Sequence, residues 1–358
     1  MSVSSKTNHI QIGGRKSKLA VVQSEIVKAE IEKAFPDINC SILALSTLGD
    51  KIQSKPLYSF GGKSLWTKEL EILLLEAVDP FPQLDLIVHS LKDMPTNLPD
   101  EFELGCILER EDPRDAVVMP EGSTFKSLKD LPAGAVVGTS SVRRSAQLTK
   151  NYPHLRFESV RGNLQTRLNK LDHPAEGKPH YACLLLAAAG LIRVGLGSRI
   201  TEYLNAPDMY YAVGQGALGV EIRSKDEKIL SILSKIEHIP TTLCCFAERG
   251  LMRYLEGGCS VPLGVESSYD ESSHTLKLKA IIVSPDGKKS VEDEIEAVIT
   301  DRQDCEKLGH DLGDRLIAKG AKEILDVIDY ERINQPPISI PSISNSTSTL
   351  NSASEIQA

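Results

Sequence analysis

Ala135-Val136-Val137-Gly138-Thr139-Ser140-Ser141-Val142-Arg143-Arg144 passes from an apolar run through a Gly/Thr/Ser turn into a helical pattern that opens on two arginines. Ala135 to Gly138 reads as a short buried strand and Ser141 as the start of a helix. Working outward, Arg156 to Val160 and Tyr181 to Leu186 are strand-like, with a second helical pattern from Leu164 between them. The same layout occurs in the first third of the chain. Ile10 to Gly13 is strand-like, and Ser17 opens a helix whose Leu19, Val22, Ile26 and Ala29 share one face. Asn39 to Ser46 is a second strand. Trp66, Leu70, Leu73, Leu74 and Ala77 mark a second helix, and Leu84 to His89 is a third strand. Two successive β-α-β-α-β units predict two α/β lobes facing each other across a cleft. Their likeness is one of layout, without a close sequence repeat.

From about Pro240 the pattern changes. A helix carrying Phe246, Leu251 and Tyr254 runs to Leu255 and is followed by a strand-like stretch from Val261 to Glu266. Strands over Leu276 to Val283 and Val291 to Ile299 are joined by a Pro285-Asp286-Gly287 turn, and one last helix is expected from Arg302 to Tyr330. This reads as a smaller α+β domain. The Ser/Asn/Thr-rich tail after Pro336 has few large apolar groups and is predicted to be disordered.

At 358 residues the chain is long enough for two or three domains with cores of their own. Its longest nearly pure apolar run, Ala182 to Ile192, is too short to span a bilayer, and Met1 to Gln11 lacks the apolar core of a signal peptide. Seven cysteines show neither disulfide-framework spacing nor a Cys-x-x-Cys metal signature. These features predict a reducing compartment, most simply the cytoplasm, with no metal site and no membrane partner. The net charge of −8 is unevenly spread: Arg143 to Arg199 holds ten Lys/Arg against three acids, so that window is +7 and the remainder −15. An acidic chain with one arginine-rich stretch is suited to hold an anion locally; a solvated basic face is the plainer reading. Nucleic-acid binding is not expected, because the whole is acidic and only 5% of residues are aromatic.

The arginines fall at telling places. Arg15-Lys16-Ser17 follows the first strand, Gly138 to Arg144 does the same in the second lobe, and Arg161-Gly162-Asn163 follows the next strand, with Arg167 one turn on. Strand C-terminal ends are where open α/β sheets bind ligands, and helix N-termini favour anions. Arg adds a planar fork matched to carboxylate or phosphate. Ser17 and Ser141 also read as plain helix caps, which does not exclude ligand contact. Gly61-Gly62-Lys63-Ser64 is not a P-loop, because Leu57 stands where its first glycine is required. Gly214-Gln215-Gly216-Ala217-Leu218-Gly219 runs into a strand, not a helix, so a tight crossing between lobes is expected in place of a dinucleotide site.

Two further segments carry candidate chemistry. In His89-Ser90-Leu91-Lys92-Asp93-Met94-Pro95, Asp93 is either an acid–base group at the cleft edge or a turn former, and His89 reads as a satisfied core histidine. In Glu256-Gly257-Gly258-Cys259-Ser260-Val261-Pro262, two glycines precede a single thiol, which is either a reactive sulfur or a structural one. The other cysteines fall on apolar strand or helix faces.

Taken together, these motifs resemble the porphobilinogen deaminase (hydroxymethylbilane synthase) family from about Ile10 to Tyr330. The match runs through Arg15-x-Ser17-x-Leu19-Ala20, Gly61-Gly62-Lys63-x-Leu65-x-x-Lys68-Glu69-Leu70, Val88-His89-Ser90-x-Lys92-Asp93 and Glu111-Asp112-Pro113-Arg114-Asp115-Ala116. It continues through Gly138-Thr139-Ser140-Ser141-x-Arg143-Arg144, Arg161-Gly162-Asn163, Val213-Gly214-Gln215-Gly216-Ala217 and Glu256-Gly257-Gly258-Cys259-x-Val261-Pro262. Ser64 and Trp66 depart from the family's usual Gly and Phe.

The resemblance implies a specific fold: two type II periplasmic-binding-protein-like α/β domains flanking a cleft, and a smaller C-terminal α+β domain carrying the cysteine loop. The expected division is residues 1–112 with 213–238, residues 113–212, residues 239–335, and a tail over 336–358. It also implies a dipyrromethane cofactor held through Cys259 by a thioether. Four porphobilinogen units would be condensed on it with loss of ammonia, releasing hydroxymethylbilane. By the same resemblance Asp93 is the catalytic group, and Lys92, Thr139, Ser141, Arg143, Arg144, Arg161 and Arg167 face the cofactor and growing chain. Arg15, Ser17 and Arg193 face the incoming substrate. A monomer is expected.

Overall fold

Strand β1 (His9–Arg15) buries Ile10 and Ile12 against Val27 and Ile31 of helix α1 (Lys18–Ala34). The helix begins where the Ser17 hydroxyl accepts a hydrogen bond from the Ala20 N–H at 3.3 Å, as its capping reading requires. In this computed structural model, residues 8–46, 67–255 and 261–333 are described. Strand β2 (Asn39–Leu45), helix α2 (Lys68–Leu75), strand β3 (Leu86–Ser90) and strand β4 (Phe102–Ile107) follow. The chain then builds a second sheet from β5 (Asp115–Val118), β6 (Val136–Gly138), β7 (Arg156–Glu158), β8 (Cys183–Ala187) and β9 (Glu202–Leu204). Helices α3 (Val142–Asn151), α4 (Leu164–Asp172) and α5 (Ala188–Arg193) connect its strands. Strand β10 (Leu218–Arg223) returns to the first sheet, and α6 (Glu227–Leu233) packs behind it.

The two sheets have the same plan. The first is ordered β2-β1-β3-β10-β4 and the second β7-β6-β8-β5-β9. In each, four strands point the same way and the fifth, β10 or β5, runs antiparallel between its two neighbours. Those two antiparallel strands belong to the segments that cross between lobes. This is the pair of α/β lobes that the repeated strand–helix layout predicted. The periodicity did not predict β4, β5 or β9, whose runs of three to six residues are too short to show a period.

The crossing at 209–217 needs glycine. Gly216 sits at φ +87°, and a Cβ there would meet the Glu111 carbonyl oxygen at 2.2 Å. The Gly-x-Gly-x-x-Gly match is therefore a backbone crossing, as the following strand implied.

The last unit is an antiparallel sheet, β11 (Leu263–Asp270), β12 (Thr275–Val283) and β13 (Ser290–Val298). Leu276, Leu278, Ala280 and Ile282 alternate along β12 and are fully buried against α7 (Ile239–Tyr254) and α8 (Arg302–Ala318). The single helix expected from Arg302 to Tyr330 is two. Gly320, at φ +99°, ends α8 before α9 (Ala321–Ile333) begins.

Candidate active site

The turn that carries Asp93 is held from below. Leu91 and Met94 are fully buried beside Ile107, Ala217 and Cys245, and the Leu91 N–H donates to the Ala217 carbonyl at 3.0 Å. Between them, one 3₁₀ turn (Leu91–Asp93) leaves Lys92 half-buried and Asp93 exposed. Pro95 then stops any continuation, having no N–H to donate. Asp93 thus sits in the turn its sequence allowed, with its side chain exposed.

The cations expected around it do come together. Asp93 and Arg144 both act on Lys92, and Arg144, Asp93 and Arg161 all act on Arg167. Burial, with Arg143 and Arg144 nearby, lowers the Lys92 ammonium to about 8 against the pull of Asp93 and Asp115. Burial and the neighbouring guanidiniums lower Arg167 to about 10, opposed by Asp93. Burial also lowers Arg161. The Arg167 Nε donates to the Gly162 carbonyl at 2.7 Å, which fixes its side chain along the turn after β7. A cluster in which five cations face two carboxylates disfavours its own charge and is relieved by added anions.

Arg143 and Arg144 are less exposed to the cleft than their sequence position suggested. Both are buried and share the fully buried Asp115: Arg143 Nη1 reaches Oδ2 at 2.6 Å, and Arg144 Nε reaches Oδ1 at 2.9 Å. Arg143 Nη1 also donates to the Tyr210 carbonyl at 2.6 Å, and Arg144 Nη1 to that of Leu185 at 2.8 Å. The Arg143 Nε is buried without a hydrogen-bond partner among the described residues. Burial alone would raise the Asp115 carboxyl, but the two guanidiniums hold it far below the usual carboxylate range.

Thr139 is buried and its Oγ1 accepts from the Ser141 N–H at 3.2 Å. Ser141 caps α3 by accepting from the Arg144 N–H at 3.4 Å. Arg15 and Ser17 stand half-buried at the C-terminal end of β1 and the start of α1. Arg193, at the end of α5, donates to the Gly216 carbonyl at 2.6 Å, and burial lowers its guanidinium against the pull of Glu111. His89 is a satisfied core histidine, as read: its Nε2 lies 2.7 Å from the buried Glu221 Oε2.

Four residues were not singled out from sequence. Asp115 lay inside a quoted motif but looked like any strand-opening acid. Gln215 bridges Lys92 and Asp115. Arg249 and Arg253, on the last turns of α7, donate to the Pro95 carbonyl at 2.7 Å and the Thr96 carbonyl at 3.2 Å. Helical spacing put both on one face of α7, but nothing local said that the face meets the Asp93 segment. Cys259 lies outside the described residues, as do Gly61 to Trp66 and the tail over 336–358. The residues on either side of the cysteine loop, Leu255 after α7 and Leu263 opening β11, are both buried.

A family model described as "Porphobilinogen deaminase, dipyromethane cofactor binding domain" matches residues 10–231. A second, "Porphobilinogen deaminase, C-terminal domain", matches residues 242–318. The chain belongs to the porphobilinogen deaminase family. It is 72% identical to the porphobilinogen deaminase of Candida albicans, covering 93% of this chain and 97% of that one. It is 59% identical to that of Saccharomyces cerevisiae, covering 90% and 98%. Among solved structures, the second substrate-binding domain of a putative amino acid ABC transporter from Streptococcus pneumoniae is 11% identical. That likeness covers 64% of this chain and 91% of the other at a TM-score of 0.39. The family's activity is a transferase reaction of tetrapyrrole and haem biosynthesis, run on a covalently bound dipyrromethane cofactor. Among the described residues, no helix is long and apolar enough to cross a membrane.

The residues present fit that cofactor. Dipyrromethane built from porphobilinogen carries acetate and propionate groups, and the cleft offers a partly buried cation cluster that such carboxylates would relieve.

Proposed function

We propose that Cys259 anchors the dipyrromethane primer and that Asp93 is the group on which each of the four condensations turns. The observation that carries this is the docking of α7 on the catalytic segment. Arg249 and Arg253 hold the carbonyls of Pro95 and Thr96, two and three residues after Asp93. In sequence the cysteine segment follows directly on that helix, which supports the reading that anchor and carboxylate serve one site. The cofactor, when bound, supplies the terminal pyrrole carbon to which each porphobilinogen is joined.

The protein's part is positional and electrostatic. Lys92, Arg144, Arg161 and Arg167 clamp carboxylates of the cofactor and growing chain, with Thr139 and Ser141 at the N-terminus of α3. Arg143 contributes from behind, by sharing Asp115 with Arg144. Arg15 and Ser17 of the first lobe, with Arg193 of the second, receive the incoming porphobilinogen. Asp93, negative and solvent-facing, stabilises positive charge at the pyrrole nitrogens as ammonia leaves, and takes part in moving the proton that departs at the end of each addition. The linear tetrapyrrole is released as hydroxymethylbilane. Domain limits of 1–112 with 213–238, 113–212 and 239–335, a cytoplasmic location and a monomeric state complete the reading. The domain limits are supported by the split of the strands among three sheets.

The test is intact mass. The purified protein should carry a two-pyrrole increment that a Cys259→Ser variant lacks. An increment that survives in the variant would remove Cys259 as the anchor.

A further inference from the structure

Lys92 and Asp115 belong to different lobes, one following β3 and the other opening β5, yet a single side chain touches both. Gln215, fully buried in the crossing between the lobes, accepts from Lys92 Nζ at 3.4 Å through Oε1. Its Nε2 donates to Asp115 Oδ1 at 2.9 Å and to the Pro113 carbonyl at 2.7 Å. The neighbours fix the amide's orientation: an ammonium can only donate, and a carboxylate and a carbonyl can only accept. Its backbone is held as well, because Arg110 Nε donates to the Gln215 carbonyl at 2.7 Å.

We propose that Gln215 is a positioning residue of the reaction, registering the lobes by holding Lys92 of one and Asp115 of the other in one amide. Through Asp115 it sets the Arg143 and Arg144 guanidiniums; through Lys92 it sets the cation beside Asp93. No other common side chain serves. Glutamate would set a second carboxylate against Asp115, a cation would repel Lys92, and asparagine is a methylene short of spanning both. The inference rests on the assignment of Lys92 and Asp93 to the working face of the cleft.

The groups facing Lys92 include Asp93 on its own turn, Arg143 and Arg144 from α3, Asp115 from β5 and the Gln215 side-chain amide oxygen. Changing Gln215 therefore moves the pH at which Lys92 loses its proton, and the direction depends on what replaces it. Gln215→Leu removes an acceptor and should shift the alkaline limb of kcat/KM to lower pH. Gln215→Glu adds a negative charge and should shift it to higher pH. Both should lower kcat/KM by about 10- to 100-fold, the cost of a small misplacement of reacting groups. A merely structural residue would give the two variants limbs that stay put or move together, and either result overturns the proposal. If Gln215→Leu does not accumulate, the near-isosteric Gln215→Glu decides alone: an upward limb supports the role and an unmoved one ends it. Asp93→Asn, measured in parallel, separates the two failures. Turnover surviving in that variant sinks the catalytic assignment, whereas an unmoved Gln215→Glu limb beside an inactive Asp93→Asn sinks only this inference.

Discussion

Asp93 owes its exposure to its neighbours: Leu91 and Met94 face inward, so the turn between them must face out. Asp93→Asn keeps this shape and removes the charge. It should still assemble the cofactor, visible as the mass increment, while turnover falls by ~10²–10⁴-fold. Near-normal turnover would remove Asp93 from the chemistry. Lys92 gives a second prediction. Its folded value of about 8 lies below the ordinary 10.5, so between those pH values the unfolded chain binds more protons and stability rises with pH through that window. The cleft's grip on carboxylates goes the other way, because the ammonium is being lost. kcat/KM should therefore fall above about pH 8 in the parent. In Lys92→Arg, whose charge persists, that limb should be absent. The substrate's own amine titrates identically in both profiles, so the difference between them is the measurement. The caps Ser17 and Ser141 were legible because a cap is read within three residues. Asp115 was not, since what marks it is the pair of guanidiniums from α3, some thirty residues away along the chain.

At the level of elements, the parallel strands and their helices could be read from periodicity, because each is built from contacts close in sequence. β5 could not, and β10, legible as a strand after the glycine crossing, gave no sign of its place: β5 joins β8 and β9, and β10 joins β3 and β4, across long stretches of chain, so those places depend on partners no local window contains. The crossing that links them is the exception: its glycines announced a tight passage, and Gly216 shows why. Its carbonyl accepts from the Glu111 N–H at 3.1 Å and from Arg193 at 2.6 Å, while its Cα has no room for a side chain. Gly216→Ala should cost at least ~1–2 kcal/mol for the left-handed backbone alone, and more for the contact with Glu111. Because the same peptide holds Arg193, KM for porphobilinogen should rise together with the loss in urea midpoint. A stability loss with unchanged KM would separate Arg193 from substrate binding.

Across the whole molecule, three units meet on one buried ion pair. Arg110, just after β4, places Nη1 2.6 Å and Nη2 3.1 Å from the two carboxylate oxygens of Glu248 in α7. Glu248 also accepts from the Gly214 N–H of the crossing at 2.7 Å and from Ser267 of β11 at 2.6 Å. Burial works against charge on Arg110, and Glu248 more than restores it. The acid is fully buried, so each charge depends on the other. Such a pair stabilises less than its geometry suggests, because both ions were taken out of water. Breaking it is another matter. Glu248→Gln leaves the guanidinium buried without its countercharge, beside the Gln215 carbonyl, the Ser267 hydroxyl and the Tyr211 ring 4.8 Å away, and should cost ~3–5 kcal/mol. The double variant Arg110→Met with Glu248→Leu removes both charges and keeps an apolar fill, so it should unfold at a higher urea concentration than Glu248→Gln alone. If the double variant unfolds well below the parent, the pair's attraction exceeds its desolvation cost, and this junction holds the C-terminal unit on the lobes by net attraction. That comparison also bears on catalysis, because α7 carries Arg249 and Arg253 to the chain beside Asp93. A loosened junction should therefore lower kcat while leaving the cofactor's mass increment in place.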